Sequence, residues 1–500
     1  MSILLISNDN DYLYELLTIE GISLDKNRNL STLINYDIII INNFKFDSHS
    51  VKIFERICRL GKSIILINPD NFIEKRLNLK TKEQTNPYTI NYKSEIITII
   101  HYNFVKTIYT LNMGNDAVYD KNGVYRANTT STVRESERSF PKADFLKREL
   151  VNIIQDVSDY PIPRVWYLPY KKLAGVIFTH DSDEVGDEEI GKINYIDNQN
   201  NIKATTFMLL KTGNPKSWRS FKSSKQELQL HQAYFYLPNT PEKLSKLLSN
   251  LITNPITLKF QECSLRLQKY LLSKIAKIEI SGVRNHGLFW HRKDNIPLWM
   301  HNAGIEFDST LGGVSEYGYL HGTGLPYFLR MPKTYKKLNV LEFPLHIMDY
   351  IYFRYWNKYR EITRKFLDNG LKFNSIITFD FHHKLLAKKE ILKWYLETIN
   401  YAKQKGFLIN NMSFYNDFWR KKLLVETKDI KFENGRLTYN VLNNKVNGLT
   451  QILPLEFQNR KLEMIAVDGK RISIQRLKVH NRFYAMFEIG KKGEIVADYR

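Results

Sequence analysis

The sequence predicts an α/β protein built from more than one structural unit. Short, continuously apolar segments alternate with amphipathic segments over the first hundred residues, and this alternation resumes between residues 166 and 422. Unbroken apolar strands indicate a parallel sheet that is buried on both faces. The last eighty residues instead alternate polar and apolar side chains, which is typical of antiparallel strands. A chain of 500 residues also exceeds what one hydrophobic core usually supports.

Residues 1–110 are predicted to form a small, non-catalytic α/β domain. The pattern resembles flavodoxin-like and amidotransferase-like domains. Cys58, however, is expected inside a helix rather than at a turn between strand and helix, and no glycine-rich phosphate motif follows the first strand. We therefore expect this domain to have no chemistry of its own. Its expected elements are strands at 3–7, 37–41, 63–67 and 94–101 and a helix at 51–60 that stops at Gly61.

Three further units are expected after this domain. Residues 111–165 are rich in turn-forming residues and are predicted to be a connector with one helix near 142–154. Residues 166–422 are predicted to form a barrel-like α/β domain, because six or more strands alternate with helices. Residues 423–500 are predicted to form a β-sandwich with hairpin turns at 468–469 and 490–493. The expected strands of the central domain are 173–179, 204–210, 229–231, 278–283, 304–307 and 376–379, and a helix at 386–405 closes it before Gly406.

Composition excludes several classes of protein. The two cysteines, Cys58 and Cys263, form no pair or framework, so disulfides and thiolate metal sites are not expected. Apolar runs are far too short to span a bilayer, and the start lacks a basic signal-peptide region, which together predict a cytoplasmic protein without a transmembrane segment. The net charge of +21 is spread along the chain and suits any anionic partner. No basic helix, RNP motif or zinc finger supports a nucleic-acid partner.

Polar residues gather where four strands of the central domain are expected to end. These clusters are Thr-His-Asp-Ser-Asp at 179–183, His231, Val-Arg-Asn-His at 283–286 and Asp-Phe-His-His at 380–383. Parallel α/β folds place their functional sites at the carboxyl ends of the strands. Histidines and carboxylates gathered there favour a metal-dependent hydrolase.

These motifs resemble those of a known family. Three further motifs lie between these clusters in the chain, at Ala303 to Gly312, Gly322 to Tyr327 and Phe343 to Asp349. The order and character of all these motifs resemble those of the NodB-homology polysaccharide deacetylases, in the branch whose first motif reads His-Asp-x-Asp. The resemblance covers about residues 165 to 422. It implies a distorted (β/α) barrel and the metal-dependent removal of acetyl groups from N-acetylated sugars.

The resemblance also implies roles for individual residues. Asp181 matches the general base and Asp183 the first metal ligand, although an Asp-x-Asp pair can also cap a following helix. His231 matches the first histidine ligand. The expected His-x-x-x-His pattern is broken by Phe235, so we expect His286 to supply the third ligand, with His291 in reserve. The expected metal is a divalent cation, with zinc as the first choice.

Four further residues complete the expected site. Arg284 matches the arginine that orients the base, and His382 matches the histidine that protonates the leaving amine, with the adjacent His383 as its competitor. Asp308 and Asp349 match supporting carboxylates, for which helix capping is the alternative. The expected partner is a glycan substrate, and peripheral contact with membrane-linked glycans stays open. A catalytically degenerate, glycan-binding protein on the same barrel is the alternative function, favoured by Phe235 and by the carboxyl-terminal β module.

Overall fold

The computed structural model describes residues 2–26, 36–77, 88–92, 95–114, 131–183, 185–212, 214–233, 255–290, 295–443, 446–490 and 492–500. The described strands form curled and twisted sheets that pack with helices, which confirms the α/β fold class. Among these residues, no helix combines the length and the hydrophobicity that crossing a bilayer would require. Cys58 is buried and Cys263 is exposed, and no disulfide joins them.

The first sheet is parallel except for one edge strand and has the order β2-β1-β3-β4-β6-β5. All five residues of β3 are buried, which agrees with helices on both faces. Cys58 follows the last helical residue of α2 as its C-cap, so the expectation that it lies inside the helix was wrong by one position. The elements are β1 (Ile3–Ser7), α1 (Tyr12–Ile19), β2 (Asp25–Lys26), β3 (Ile38–Asn42), α2 (Ser48–Ile57), β4 (Ser63–Ile67), α3 (Asn71–Arg76), β5 (Tyr88–Tyr92), β6 (Glu95–Ile100) and α4 (Phe104–Met113).

The next segment alternates helices and strands over about 280 residues. Its elements are α5 (Lys142–Asp156), β7 (Arg164–Val165), β8 (Gly175–Asp181), α6 (Asp187–Gln199), β9 (Thr205–Met208), α7 (Pro215–Ser220), β10 (Glu227–Gln232), α8 (Pro255–Ala276), β11 (Gly282–Asn285), α9 (Ile296–Asn302), β12 (Phe307–Asp308), β13 (Tyr327–Arg330), β14 (Lys337–Glu342), β15 (Leu345–Met348), α10 (Ile351–Arg354), α11 (Tyr359–Lys372), β16 (Ile376–Asp380), α12 (His383–Leu386), α13 (Lys389–Gln404), β17 (Leu408–Ile409) and α14 (Met412–Lys422).

The sheet of this segment has the order β13-β14-β12-β11-β10-β9-β8-β16-β15, with β17 also paired to β8. Among the described strands of this sheet, β13 and β14 pair antiparallel and the other pairs are parallel. The hydrogen-bonded path runs from β13 to β15 without closing among the described residues. β14 and β15 are nevertheless consecutive in the chain, so the chain itself links the two sides of the curled sheet. A closed barrel therefore stays a prediction.

Three strands of this sheet are shorter than the sequence predicts: β9 (expected at 204–210), β11 (expected at 278–283) and β12 (expected at 304–307). The expected strand at 304–307 is reduced to the last residue of that range plus Asp308. Gly304 has a φ of +66° and ends α9, and the Ile305 N–H then donates to the Met300 carbonyl at 2.9 Å. This is the Schellman geometry, in which a glycine adopts the left-handed conformation without steric cost. Ile305 therefore belongs to the C-terminal cap of α9, and the strand starts only at Phe307.

The last described residues form strands in two antiparallel sheets. The first has the order β18-β19-β26-β22-β21, with β23 on β22, and the second has the order β24-β25-β20-β7. Asp468 and Gly469 connect β22 to β23 as a hairpin, as expected. The predicted hairpin at 490–493 was wrong, because β25 and β26 pair with other strands and belong to different sheets. The strands are β18 (Glu426–Glu433), β19 (Arg436–Leu442), β20 (Thr450–Pro454), β21 (Glu456–Phe457), β22 (Arg460–Val467), β23 (Lys470–Arg471), β24 (Gln475–Val479), β25 (Arg482–Glu488) and β26 (Lys492–Tyr499).

A buried ion cluster joins distant segments of the chain. Glu20, which follows α1, accepts a hydrogen bond from Arg164 Nη2 of β7 at 2.9 Å. Lys147 of α5 lies 3.9 Å from the same carboxylate. Lys422, the last residue of α14, donates to the Ile19 carbonyl at 2.7 Å. All four charged side chains are buried, and β7 lies within the predicted connector. The amino-terminal unit, the connector and the central segment therefore share one polar interior.

Candidate metal centre and active site

Five of six adjacent parallel strands bring the predicted polar clusters to one edge of the central sheet. The strands β11, β10, β9, β8, β16 and β15 are adjacent in that order and parallel. Asp181 is the last residue of β8, His231 lies near the end of β10 and Asp380 ends β16. His286 directly follows β11, and Asp349 directly follows β15. The clusters, which are far apart in the sequence, therefore meet in space.

Asp183, His231 and His286 form a group of potential metal ligands. One ligand atom from each lies within 4.8 Å of the others. Asp183 Oδ1 is 3.1 Å from His231 Nε2, and Asp183 Oδ2 is 3.4 Å from His286 Nε2. His231 is buried, whereas the side chains of Asp183 and His286 are 23% and 17% exposed. The group therefore has a buried side and a side that is open to solvent.

The tautomer of His231 suits metal ligation. Its Nδ1 lies 3.0 Å from the Arg284 carbonyl oxygen. A carbonyl oxygen only accepts hydrogen bonds, so Nδ1 carries the hydrogen and the lone pair of a neutral ring is on Nε2. Nε2 is the atom that faces Asp183. A histidine whose second nitrogen donates to a carbonyl is the usual arrangement at protein metal sites.

Asp181 lies beside this group but is engaged by an arginine. Its Oδ1 accepts a hydrogen bond from Arg284 Nη1 at 2.9 Å, and its Oδ2 is 3.5 Å from His231 Nε2. Burial alone would raise the pKa of Asp181. The positive charges of Arg284, His231 and His382 outweigh burial and lower this pKa below its ordinary value. Asp181 is therefore held as a carboxylate at neutral pH.

Arg284 is fully buried and fixed by several acceptors. Its Nε and Nη2 donate to the carbonyl and the hydroxyl of Ser309 at 2.9 and 3.0 Å. Its Nη1 also reaches the Thr179 hydroxyl and Asp380 Oδ1, each at 2.8 Å. The guanidinium carbon lies 4.4 Å from the centre of the Phe207 ring. The arginine that touches Asp181 therefore has little freedom to move.

Asp380 is a site residue that the sequence reasoning did not assign. Burial and the charge of Asp181 raise the pKa of Asp380 to about 7. It shares Arg284 Nη1 with Asp181 and lies 3.6 Å from His382 Nδ1. The sequence signal was its position, because Asp380 opens the Asp-Phe-His-His segment at the end of a strand. Asp181, Asp380 and His382 form a second group of potential ligands, but the charge of Arg284 between the two carboxylates opposes a cation there.

His382 is oriented by Asp349. The His382 backbone N–H donates to Asp349 Oδ2 at 2.7 Å, and Nδ1 lies 2.8 Å from Asp349 Oδ1. Nε2 is 3.6 Å from Asp183 Oδ2. Burial lowers the pKa of His382, but the charges of Asp349 and Asp380 outweigh burial and raise it well above its ordinary value. The protonated ring therefore directs its Nε2–H toward the potential ligands.

The two adjacent histidines have different surroundings. His383 is completely buried, and its Nδ1 lies 3.2 Å from the Asp181 carbonyl oxygen. Burial, helped by the charge of His180, lowers the pKa of His383 to about 3. A histidine that stays neutral in the core is a poor proton donor at neutral pH. The geometry therefore favours His382 over His383 for the acid role.

Asp308 lies near the site but is not in either group of potential ligands. Its Oδ1 accepts from the Thr310 hydroxyl at 2.6 Å, and Asp308 is opposite Glu342 in the β12–β14 pair. Burial raises the pKa of Asp308 to about 6. Asp308 thus supports the turn whose Ser309 holds Arg284. Phe235 and His291 lie outside the described residues.

Comparisons with known proteins return matches to solved structures only. No family model matches the sequence, and no curated protein does so. A putative polysaccharide deacetylase from Mycobacterium smegmatis has a TM-score of 0.37 and 15% identity over 51% of this chain and 92% of its own. A putative polysaccharide deacetylase involved in O-antigen biosynthesis from Bordetella bronchiseptica has a TM-score of 0.30 and 13% identity over 50% and 92% of the two chains.

A third similar solved structure is described as a pseudoenzyme. It is a wild-type CE4 family pseudoenzyme from Bacillus anthracis, with a TM-score of 0.29 and 12% identity over 50% of this chain and 66% of its own. These values describe a similarity of about half of the chain.

Proposed function

We propose that the protein is a metal-dependent hydrolase that removes acetyl groups from the N-acetylated sugars of a polysaccharide or glycan. The observation that supports this proposal is that three sets of polar side chains lie close together at the carboxyl ends of the strands of one sheet. They are the Asp183–His231–His286 group, the Asp181–Arg284 pair and the His382–Asp349 pair. The activity is proposed for residues 166–422, with a non-catalytic unit at 1–110, a connector at 111–165 and a β-sandwich at 423–500. The cytoplasmic location stays a prediction.

The residues of the first group fit a divalent cation. One carboxylate and two imidazoles are the donors that zinc commonly has at catalytic sites, and such sites leave a position open for water or substrate. The partial exposure of Asp183 and His286 agrees with an open position. A bound divalent cation would polarise the acetamide carbonyl and lower the pKa of a nearby water molecule.

Asp181 and Arg284 suit general-base catalysis. Asp181 accepts the proton of the attacking water, and Arg284 keeps this carboxylate ionised and oriented through the 2.9 Å bond. The water oxygen becomes part of the released acetate, and the bond between the carbonyl carbon and the sugar nitrogen breaks.

His382 and Asp349 suit general-acid catalysis. The Nε2–H of His382 donates a proton to the leaving nitrogen, so that an amine departs rather than an anion. Asp349 stabilises the positive charge of the ring through the 2.8 Å contact with Nδ1. The products are acetate and a free amino sugar.

A glycan-binding protein without catalysis is the second candidate. The absence of a histidine four residues after His231 favours it, because Phe235 occupies the position of the expected ligand. The third donor then depends on His286, which lies on a short 3₁₀ turn rather than on the strand. Metal affinity distinguishes the two candidates.

The test combines metal analysis with acetate release. We expect the purified protein to bind one zinc ion in a calorimetric titration and to release acetate from at least one member of a panel of N-acetylated glycans. Asp183→Ala, His231→Ala and His286→Ala should each lose both properties, whereas His301→Ala, which changes an exposed histidine outside the site, should keep them. Full metal occupancy in His286→Ala would remove His286 from the ligand set. A wild-type protein that binds no metal and releases no acetate would favour the glycan-binding candidate.

A further inference from the structure

An exposed row of aromatic side chains begins at the candidate active site. Tyr350, Phe353 and Trp356 are 37%, 51% and 58% exposed, and all three lie within seven residues of one another. Soluble proteins rarely expose several large aromatic side chains together, and such groupings mark binding surfaces. The segment that carries them, residues 349–356, starts with Asp349, the residue that orients His382.

Ring contacts connect this row to His382. The Tyr350 ring lies 5.0 Å from the His382 ring and 5.9 Å from the Phe353 ring, measured between centroids. The buried Tyr352 then lies 5.2 Å from Phe353 and 4.5 Å from Trp356. The rings thus form a continuous series from the proposed proton donor to the exposed indole. A molecule bound along this series would have one end beside His382.

The row is held in place by the core beneath it. Ile351 and Tyr352 are buried in the same hydrophobic cluster as Tyr359 and Trp394. The Asp349 N–H donates to the Asp380 carbonyl at 2.9 Å, and the Tyr352 N–H donates to the Asp349 carbonyl at 3.0 Å. The surface is therefore ordered before a ligand arrives, and less conformational entropy is lost on binding.

The chemistry of the row favours a sugar chain over a lipid surface. Each face of a pyranose ring carries C–H groups that pack on flat aromatic rings, while its hydroxyls need polar neighbours. Lys388 Nζ lies 5.0 Å from the centre of the Phe353 ring, Arg354 is exposed on the same segment, and Lys358 is exposed just after it. These cations provide hydrogen-bond donors at the edge of the row. Residues 349–358 expose no large aliphatic side chain, so these three rings are the whole apolar surface, and their continuity with His382 favours a ligand of the proposed active site.

We infer that Tyr350, Phe353 and Trp356 form a binding surface for several consecutive sugars of a glycan. This surface would place one end of the bound glycan beside His382. This inference rests on the proposed deacetylase function for the chemistry of the sugar, namely N-acetylated hexosamines. It predicts that oligosaccharides bind more tightly than a single sugar, because a monosaccharide can contact only one part of the row.

Tryptophan fluorescence offers a direct test. Trp356 is exposed, whereas the other six tryptophans of the chain are buried. Acrylamide should therefore quench mainly Trp356. We expect tetra-N-acetylchitotetraose to reduce this quenching and N-acetylglucosamine to do so only at far higher concentration. Trp356→Phe keeps a ring and removes the signal, so its binding is followed by calorimetry and should stay close to that of the wild type.

Two variants and one control measure the contribution of the rings. Phe353→Ala and Trp356→Ala should each weaken binding of the tetrasaccharide by about ten-fold or more, in line with the loss of one stacking contact. Tyr195→Ala, which removes a 64% exposed aromatic residue of α6, should not change binding. Circular dichroism checks that each variant is folded.

The outcomes separate this inference from the proposed function. Asp183→Ala should lose the metal but keep the protection of Trp356 by the tetrasaccharide, so a failure of the metal site leaves this test intact. Equal affinity of the wild type and both alanine variants, or no binding of the tetrasaccharide, would overturn the inference. Binding to phosphatidylglycerol vesicles that is lost in Trp356→Ala, without binding of the tetrasaccharide, would assign the row to membranes and overturn it as well.

Discussion

Replacing Asp181 and Asp183 separately by Asn tests the roles proposed for these two carboxylates. Asp181 Oδ1 accepts from Arg284 at 2.9 Å, and the amide oxygen of an asparagine can keep this bond. The variant Asp181→Asn therefore keeps the shape of the site but loses the lone pair that accepts a proton. Arg284 remains paired with Asp380 at 2.8 Å, so no buried charge is left without a partner.

The structure predicts different losses for the two variants. Asp181→Asn should bind zinc nearly as well as the wild type, while turnover falls 10²- to 10⁴-fold, which corresponds to about 3 to 5 kcal/mol in the activation barrier. Asp183→Asn should instead lose zinc, because Asp183 is the only carboxylate of its group and contacts both His231 and His286.

Inductively coupled plasma mass spectrometry after dialysis measures the zinc content, and a coupled acetate assay measures turnover. The roles would be refuted if both variants lost zinc to the same extent. They would also be refuted if Asp181→Asn kept near-normal turnover, since another group would then have to act as the base.

Two further changes test other parts of the structure. Burial lowers the pKa of Lys422 to about 7 in the folded protein, whereas the ordinary pKa of a lysine is near 10.4. Between about pH 7 and 10.4, unfolding therefore takes up a proton at Lys422, and the free energy of unfolding rises with pH over this range. Lys422→Met should reduce this slope by up to about 1.4 kcal/mol per pH unit in urea unfolding curves, and an unchanged slope would contradict the low pKa. Asp349→Asn places an amide N–H against His382 Nδ1, so the pKa of His382 measured by NMR should fall and turnover should drop about 10²-fold or more at unchanged zinc content. An unaltered pKa would show that Asp349 does not hold the ring.

Local patterns in the sequence were sufficient for several parts of the fold. Continuous apolar runs predicted β3 and β4 because nearly every residue of a strand that is covered on both faces is buried. The meeting of the polar clusters followed from the same argument, since the carboxyl ends of parallel strands lie at one edge. His231 and Arg284 therefore came together although 53 residues separate them.

Other parts depended on partners that no local pattern reveals. The residues at 490–493 are typical of a hairpin turn, but β25 and β26 pair with strands of two different sheets. Asp380 was not recognised because its importance comes from Arg284, 96 residues away, rather than from its neighbours in the sequence. The exposed row at 350–356 was also missed, because aromatic residues in a mixed segment are as typical of a core as of a surface.

The ion cluster around Glu20 limits how the amino-terminal unit can be exchanged between proteins. A module that is grafted or removed freely meets its host through a surface that both partners can expose to water. Here the carboxylate of Glu20 belongs to the first unit, whereas Arg164, Lys147 and Lys422 belong to later segments, and all are buried. Without Glu20, the buried Arg164 and Lys147 would have one fewer counter-charge. The first unit and its host should therefore melt in a single calorimetric transition, and they have to be inherited or engineered together.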